Sequence, residues 1–582
     1  MLETISASAL QPRPSASSQQ LQKRVGQRRY APKTRTGCLT CKIRRIKCDE
    51  AKPHCNRCTS TGRRCDGYTS TIPIKQDVIE SVPPALSPDA PFGELERRTF
   101  EFFRLRTAPC VSGYFNDPVW DRYVLQASHS EPAIRFAVNA LGALHEERHL
   151  RNGEQESGAK SSMTPSYPLV QYSKALNGLQ ELLKADHVSM DAVLMCILLM
   201  THFEALRECF VPALLHVEAA IRMLEINQAV DVRKIDPSLV RSLMRLDMQG
   251  SMFLGMRIPG LPFYTAATDT KLPSHLHDLT QARDLINTWT CRLFHFMRAE
   301  ADEFKFREPG SIPLELLASS HEYVQTFLDL EELLWSFMHK PSVKLSIREQ
   351  HGLGMLRSRV KINRILAATC LYSETCMYDA FLQEFEDILT ICKYIMSSDN
   401  ADRRLFSVSL DEGLLHPLFF TATHCRDSTI RHQALAQMRK LPANCGVWHV
   451  EAMTRSASLC VKLEEHWCDK HSPTCADIPE WRRIHSAGFD GWEYGVPKPR
   501  TTTHFRMRPN GTDGEWADFE QAIYWPKVRY HKLALRCWRT RVTFLNEEEA
   551  TLEGVTASNA SHVRAKPGLP TSGTYSRKLG SP

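Results

Sequence analysis

Six cysteines stand in a pattern that can hold metal. Cys38, Cys41, Cys48, Cys55, Cys58 and Cys65 read C-x2-C-x6-C-x6-C-x2-C-x6-C, so the unit C-x2-C-x6-C occurs twice. A C-x2-C pair aims two thiolates at one centre across a tight turn, and zinc takes four sulfur ligands in a tetrahedron. Two zinc ions then need about eight Zn–S bonds, which six thiolates supply only if two of them bridge. The repeat suggests the first cysteine of each half, Cys38 and Cys55, for that role. Ile43 and Ile46 are the main apolar side chains of the segment, too few for a core. Metal must therefore supply the folding free energy, on the order of 10 kcal/mol per structural zinc. Disulfides are the competing use of the thiols. The first thirty residues lack the apolar core of a signal peptide, so the chain is expected inside the cell, where thiols stay reduced.

Charge is unevenly spread. Residues 1–66 carry 15 Lys/Arg against 4 Asp/Glu, a net of +11, whereas the whole chain carries only +7, which leaves −4 for the rest. A small basic head suits a polyanion and the faintly acidic body does not. Between Cys41 and Cys48 lies a short stretch expected to be helical with Lys42, Arg44, Arg45 and Lys47, while the matching stretch of the second half has bases only at its end. The asymmetry picks the first stretch as the one facing such a polyanion. Phosphate contacts from such a surface give affinity, and an Arg fork on guanine O6/N7 gives specificity.

Residues 37–66 resemble the fungal Zn(2)-Cys(6) binuclear-cluster DNA-binding domain of transcription factors. All six ligand positions match, as do Gly37 before the first cysteine and Lys52-Pro53 before the fourth. The resemblance implies two Zn2+ ions, a loop at Pro53 often joined by a cis peptide bond, double-stranded DNA as partner and a nuclear location. It also implies that the first helix reads a CGG-type triplet in the major groove, with Arg45 on the main base-contact position, Arg44 beside it and Lys47 on phosphate. Many relatives have Lys at these positions. Upstream, Lys23-Arg24, Arg28-Arg29 and Arg35 suit nuclear import or further phosphate contacts.

The elements around this module follow from composition and periodicity. Apolar residues make up 42% of the chain and charged residues 24%, the profile of a soluble globular protein. No apolar run reaches the roughly 18–20 residues of a membrane helix. We expect a disordered basic tail (1–35), the cluster module (36–67), a Pro-containing linker (68–93), a large all-α regulatory domain (94–545) and a disordered tail (546–582). Many helices of similar length suggest a solenoid-like stack. Leu214, Val217, Ile221 and Leu224 mark one amphipathic helix. A second runs over Ser428–Leu441, capped by Asp427, with Ile430, Ala434, Met438 and Leu441 on one side. Strand alternation is scarce.

Several stretches of the body resemble the large regulatory domain that follows this cluster in filamentous-fungal factors. They are Phe102–Pro109, Glu131–Glu146, Arg245–Gln249, His416–Asp427, Leu463–Glu465 and Pro479–Arg483. The resemblance implies regulation and contact with transcription co-regulators, and it covers roughly residues 95–530. His145-Glu-Glu-Arg-His149 matches the H-E-x-x-H signature of zinc proteases, but no third ligand follows in the metzincin pattern, so no enzyme is expected. Phe327–Met338 mixes acidic and bulky apolar residues as activation segments do, and its helical spacing favours an amphipathic core helix. Cysteines outside the cluster, such as Cys196 and Cys392, are expected to be packing residues. The chain reads as a zinc-dependent, sequence-specific regulator of RNA polymerase II transcription. The alternative is a co-regulator acting through protein partners without binding DNA itself. A homodimer is possible through the body, since residues 66–94 carry proline in place of sustained heptads.

Overall fold

The computed structural model describes residues 37–65 except 45, and residues 93–524 except 158–163, 165, 186–187, 227–234, 255–256, 262–270, 398–412, 443, 446–447, 467, 494–499 and 512. The expected tails, most of the linker, and Arg45 lie outside the described residues. The chain divides into two compact units, residues 1–85 and 86–582.

The first unit is built as two similar halves. Helix α1 (Leu39–Ile43) starts right after Cys38, and α2 (Asn56–Thr59) right after Cys55. Helix α1 is shorter than expected, since residues 46–50 have left helical geometry. The peptide Lys52–Pro53 is cis, as the resemblance implied. Gly37 is required by space, because a Cβ there would sit 2.8 Å from the Cβ of Cys48.

The second unit is mostly helical. Its helices are α3 (Glu94–Phe102), α4 (Ala108–Ser112), α5 (Val124–Ser130), α6 (Pro132–Ser157), α7 (Tyr167–Lys184), α8 (Met190–Leu206), α9 (Phe210–Ile226), α10 (Pro237–Leu254) and α11 (Leu279–Phe296). They continue as α12 (Leu314–Met338), α13 (Ile347–Thr369), α14 (Leu382–Ser397), α15 (Leu415–His424), α16 (Ser428–Met438) and α17 (Val450–Glu465). Chain neighbours pair in space: α6 with α7, α8 with α9, α12 with α13, α15 with α16. Every residue of α8 from Ala192 to Leu206 is buried, the run Ala192–Met200 being apolar on every side and Thr201, His202 and Glu204 following it. Val217, Ile221 and Leu224 of α9 face the same core, and Cys196 and Cys392 are buried in it, as expected. Asp427 caps α16, its Oδ1 accepting from the Ile430 amide at 3.0 Å. That helix ends at Met438, and Leu441 packs on the core from the turn beyond.

The body also holds a sheet that periodicity does not announce. Strands β3 (Ser486–Glu493), β4 (Arg500–Met507) and β5 (Ala517–Tyr524) form an antiparallel meander, and a two-residue ladder pairs β1 (Asn444–Cys445) with β2 (Trp448–His449). In β4 the inward residues are Thr501, Thr503 and Phe505. Their alternation with Thr502, His504 and Arg506 is one of β-branched hydroxyls, not of large apolar groups, so hydropathy misses it. Phe505 packs with Cys460 of α17 and with Ile484.

Candidate metal centre and nucleic-acid interface

Among the described side chains of residues 37–65, the buried apolar cluster consists of the six cysteines. Ile43 is 79% exposed and Ile46 41% exposed, so neither forms a core. The Sγ atoms fall into two groups of four, Cys38/Cys41/Cys48/Cys55 and Cys38/Cys55/Cys58/Cys65, each within 4.8 Å. The two groups share Cys38 and Cys55. A Zn–S bond of about 2.3 Å sets sulfurs of one tetrahedron roughly 3.8 Å apart. The separations are 3.5 Å for Cys38–Cys55, 3.6 Å for Cys41–Cys55 and 3.8 Å for Cys38–Cys58. These distances fit a shared metal cage and are far too long for disulfides.

The surrounding backbone braces the sulfurs. The Cys41 amide donates to Cys38 Sγ, and the amides of Cys38 and Glu50 donate to Cys48 Sγ, each at 3.4 Å. Glu50 sits at φ 59°, in the left-handed region, which turns the chain out of the first half. Burial pushes the thiol of Cys38 up to about 12 and raises those of Cys41 and Cys55. Bound zinc supplies the positive charge that keeps such sulfurs as thiolates.

Lys47, Lys52, Arg57, Arg63 and Arg64 are exposed on the module. Arg44 is half-buried, and its Nη1 donates to Thr61 Oγ1 at 3.4 Å, tying the first half to the second. Lys42 lies on α1 at the position expected for it. Sequence reasoning missed the Arg44–Thr61 link, because nothing in spacing couples residues 17 positions apart.

In the body, the stretches singled out above meet in buried polar networks. Thr107 Oγ1 bonds His145 Nδ1 at 3.0 Å, and the Phe102 and His145 rings lie edge to face at 5.3 Å. Burial pushes the imidazole of His145 down to about 3. Glu146 accepts from Arg98 Nη2 at 2.7 Å. So the residues of the protease-like signature are spent on joining α6 to α3 and its continuation, and they form no metal-binding group among the described residues.

His416–Asp427, Leu463–Glu465 and Pro479–Arg483 converge likewise. Glu464, fully buried, accepts from Arg426 at 2.8 Å, Arg431 at 2.5 Å and the Ile484 amide at 2.8 Å. Burial alone would raise its carboxyl, but the two guanidinium groups outweigh burial and hold it at about 2. Arg483 forks onto Asp379 with two bonds of 2.8 Å. Arg245 and Asp247 anchor two more clusters, Arg245 on Asp117 and Asp247 under Arg257, both at 2.5 Å. These residues tie separate segments of the domain together.

Comparison with known proteins agrees with this anatomy. Residues 36–73 match the fungal Zn(2)-Cys(6) binuclear cluster domain, and residues 98–339 match the fungal specific transcription factor domain. These two segments are thus similar to domains of fungal zinc-cluster transcription regulators, a family of transcription factors and not of enzymes, whose cluster domain binds two zinc ions. One relative is the aspercryptin biosynthesis cluster-specific transcription regulator atnN of Emericella nidulans, 29% identical over 338 residues, covering 51% of this chain and 53% of that protein. Another is transcription regulator lscL of Purpureocillium lilacinum, 34% identical over 161 residues, covering 24% of this chain and 37% of that protein. The transcriptional regulatory protein moc3 of Schizosaccharomyces pombe is 53% identical over 55 residues, 10% of this chain and 11% of its own. The chain thus spans about half of the first of these relatives and less of the others. No solved structure matches. No helix among the described residues is long and apolar enough to cross a membrane.

Proposed function

We propose that residues 36–67 bind duplex DNA in the nucleus and that the body, residues 94–545, couples this binding to RNA polymerase II transcription through co-regulators. Cys38 and Cys55 bridge two zinc ions, Cys41 and Cys48 complete the first cage, and Cys58 and Cys65 complete the second. The observation that carries the reading is the pairing of a sulfur-only interior with a surface of exposed Lys and Arg. Such a module has nothing to offer a substrate and much to offer phosphates.

Arg45 takes the base-reading role at a CGG-type triplet, with Arg44 beside it and Lys47 on phosphate, as the resemblance to the family implies. Lys42 serves the backbone beside it. The target class is drawn from the Emericella relative, whose name assigns it to one biosynthesis cluster: a set of clustered genes. Band shifts of the full chain with CGG-containing and scrambled duplexes test the DNA reading. Preference for the triplet that disappears in Arg45→Ala supports it, and a wild-type chain that binds neither duplex overturns it. Genome-wide mapping of bound sites tests the target class.

A further inference from the structure

Helix α12 buries one face and leaves the opposite one bare in an unusual way. Phe327, Leu330, Leu334 and Phe337 are in the core. Glu331 is turned inward, within 2.7 Å of Lys361 and 3.6 Å of Arg364 on α13. On the outward side Leu314 (79% exposed), Leu328 (37%) and Trp335 (57%) recur at multiples of seven, with His321 filling the missing step. Next to this apolar row runs an acidic one, Glu315, Glu322 and Asp329, also spaced by seven, with Glu332 between the two. All four carboxylates are exposed. The twenty-five residues of α12 contain no Lys or Arg.

A seven-residue spacing drifts only about 20° per step around an α-helix, so the rows stay on one side for three steps. This is the geometry by which one helix receives another along a shallow seam. Trp335, its ring centroid 4.0 Å from that of His339, and Leu328 stand in one row beside the four carboxylates, so apolar anchors and acidic groups share one outward face.

We propose that the outward face of α12 is a docking surface for a Lys/Arg-bearing amphipathic helix of a partner protein. This deepens the reading of the body as a contact for co-regulators and rests on it. Trp335 and Leu328 are the anchors, and Glu315, Glu322, Asp329 and Glu332 select the basic partner and speed its encounter. Charge decides the class of occupant. A second copy of this helix would set carboxylates against carboxylates, and DNA or an anionic lipid surface would be repelled.

The test uses the full chain in a fungal host carrying a reporter behind a duplex the protein binds. Two variants are compared with wild type: Leu328→Ser with Trp335→Ala, and Glu322→Lys with Asp329→Lys and Glu332→Lys. In parallel a photo-cross-linking amino acid is placed at position 335. Loss of two anchors should change reporter output by roughly tenfold, with band-shift affinity and melting temperature held. Cross-linked peptides should come from another protein and carry Lys or Arg beside apolar residues at helical spacing. Unchanged output in both variants overturns the proposal, as do cross-links confined to this chain, to a second copy or to peptides without basic residues. A wild-type chain that fails to bind any duplex sinks the DNA reading instead, and the cross-linking still decides about α12.

Discussion

In residues 37–65 what lies buried is sulfur, and both isoleucines face water. In the body Phe103, Phe203, Phe210, Phe327 and Phe385 are fully buried in one apolar core. Each such side chain contributes roughly 1.5–3 kcal/mol by leaving water. The body's stability is therefore its own property. The module's stability is borrowed from a ligand and scales with free metal. The two regions differ also in their charges. The module exposes Lys47, Lys52, Arg57, Arg63 and Arg64, whereas the body seals Arg426, Arg431 and Glu464 away from solvent. Exposed guanidinium groups are free to meet phosphate; sealed ones fix how helices join.

The sharpest way to break this contrast is chelation. Removing zinc should cost the module on the order of 10 kcal/mol per site and abolish DNA binding, while far-ultraviolet dichroism and the melting of the body stay as they were. Elemental analysis should find two zinc ions per chain. A third would return His145 and His149 to the metal-binding field.

Next in size is Glu464→Gln. It strands two buried guanidinium groups, and urea titration should show the body losing about 3–5 kcal/mol with zinc content and triplet preference intact. The same carboxylate carries a pH signature. Its folded pKa, about 2, lies below the ordinary 4.5. It therefore adds about 3 kcal/mol at neutral pH, and this is lost as pH falls from about 4.5 toward 2. Acid unfolding of Glu464→Gln should lack this component.

Arg45→Ala should cost about 1–3 kcal/mol of discrimination for the triplet, read as converging affinities for matched and scrambled duplexes. Lys47→Ala should weaken both duplexes alike and lower the salt slope of binding by about 0.9. Smallest of all, Asp427→Ala removes the cap of α16 and should cost the body about 1 kcal/mol, with no effect on DNA binding.

Legibility followed the range of the interactions. The cysteine cage could be read directly, because its ligands span 28 positions and their types and spacing state the geometry. The cap at Asp427 and the inward row of α9 were equally plain, since each lies within a few turns of one helix. The protease-like signature was discounted for want of a third ligand. Its actual use, a bond from Thr107 and another from Arg98, emerges only when α3 and α6 are laid together. The stretches ending at Asp427, Glu465 and Arg483 were noticed as separate resemblances. That the first two meet at the Glu464 carboxylate, with the Ile484 amide just beyond the third bonded to it, was invisible, because Arg426 and Glu464 stand 38 positions apart. The sheet escaped for another reason: the buried threonines of β4 form no hydrophobic stripe, and Thr503 instead pairs its hydroxyl with that of Ser456 on α17 at 3.2 Å.

Sequence alone determined the metal, the number of its ligands and the sign of charge offered to a partner, for coordination and charge are local properties of side-chain type and spacing. Tertiary structure decided which charges are sealed and which exposed. It also decided which histidines are merely packed, and which flank of α12 is left for another molecule. Those outcomes depend on what a distant part of the chain lays across each residue, and burial by a distant neighbour leaves no mark on the residue's own surroundings in sequence.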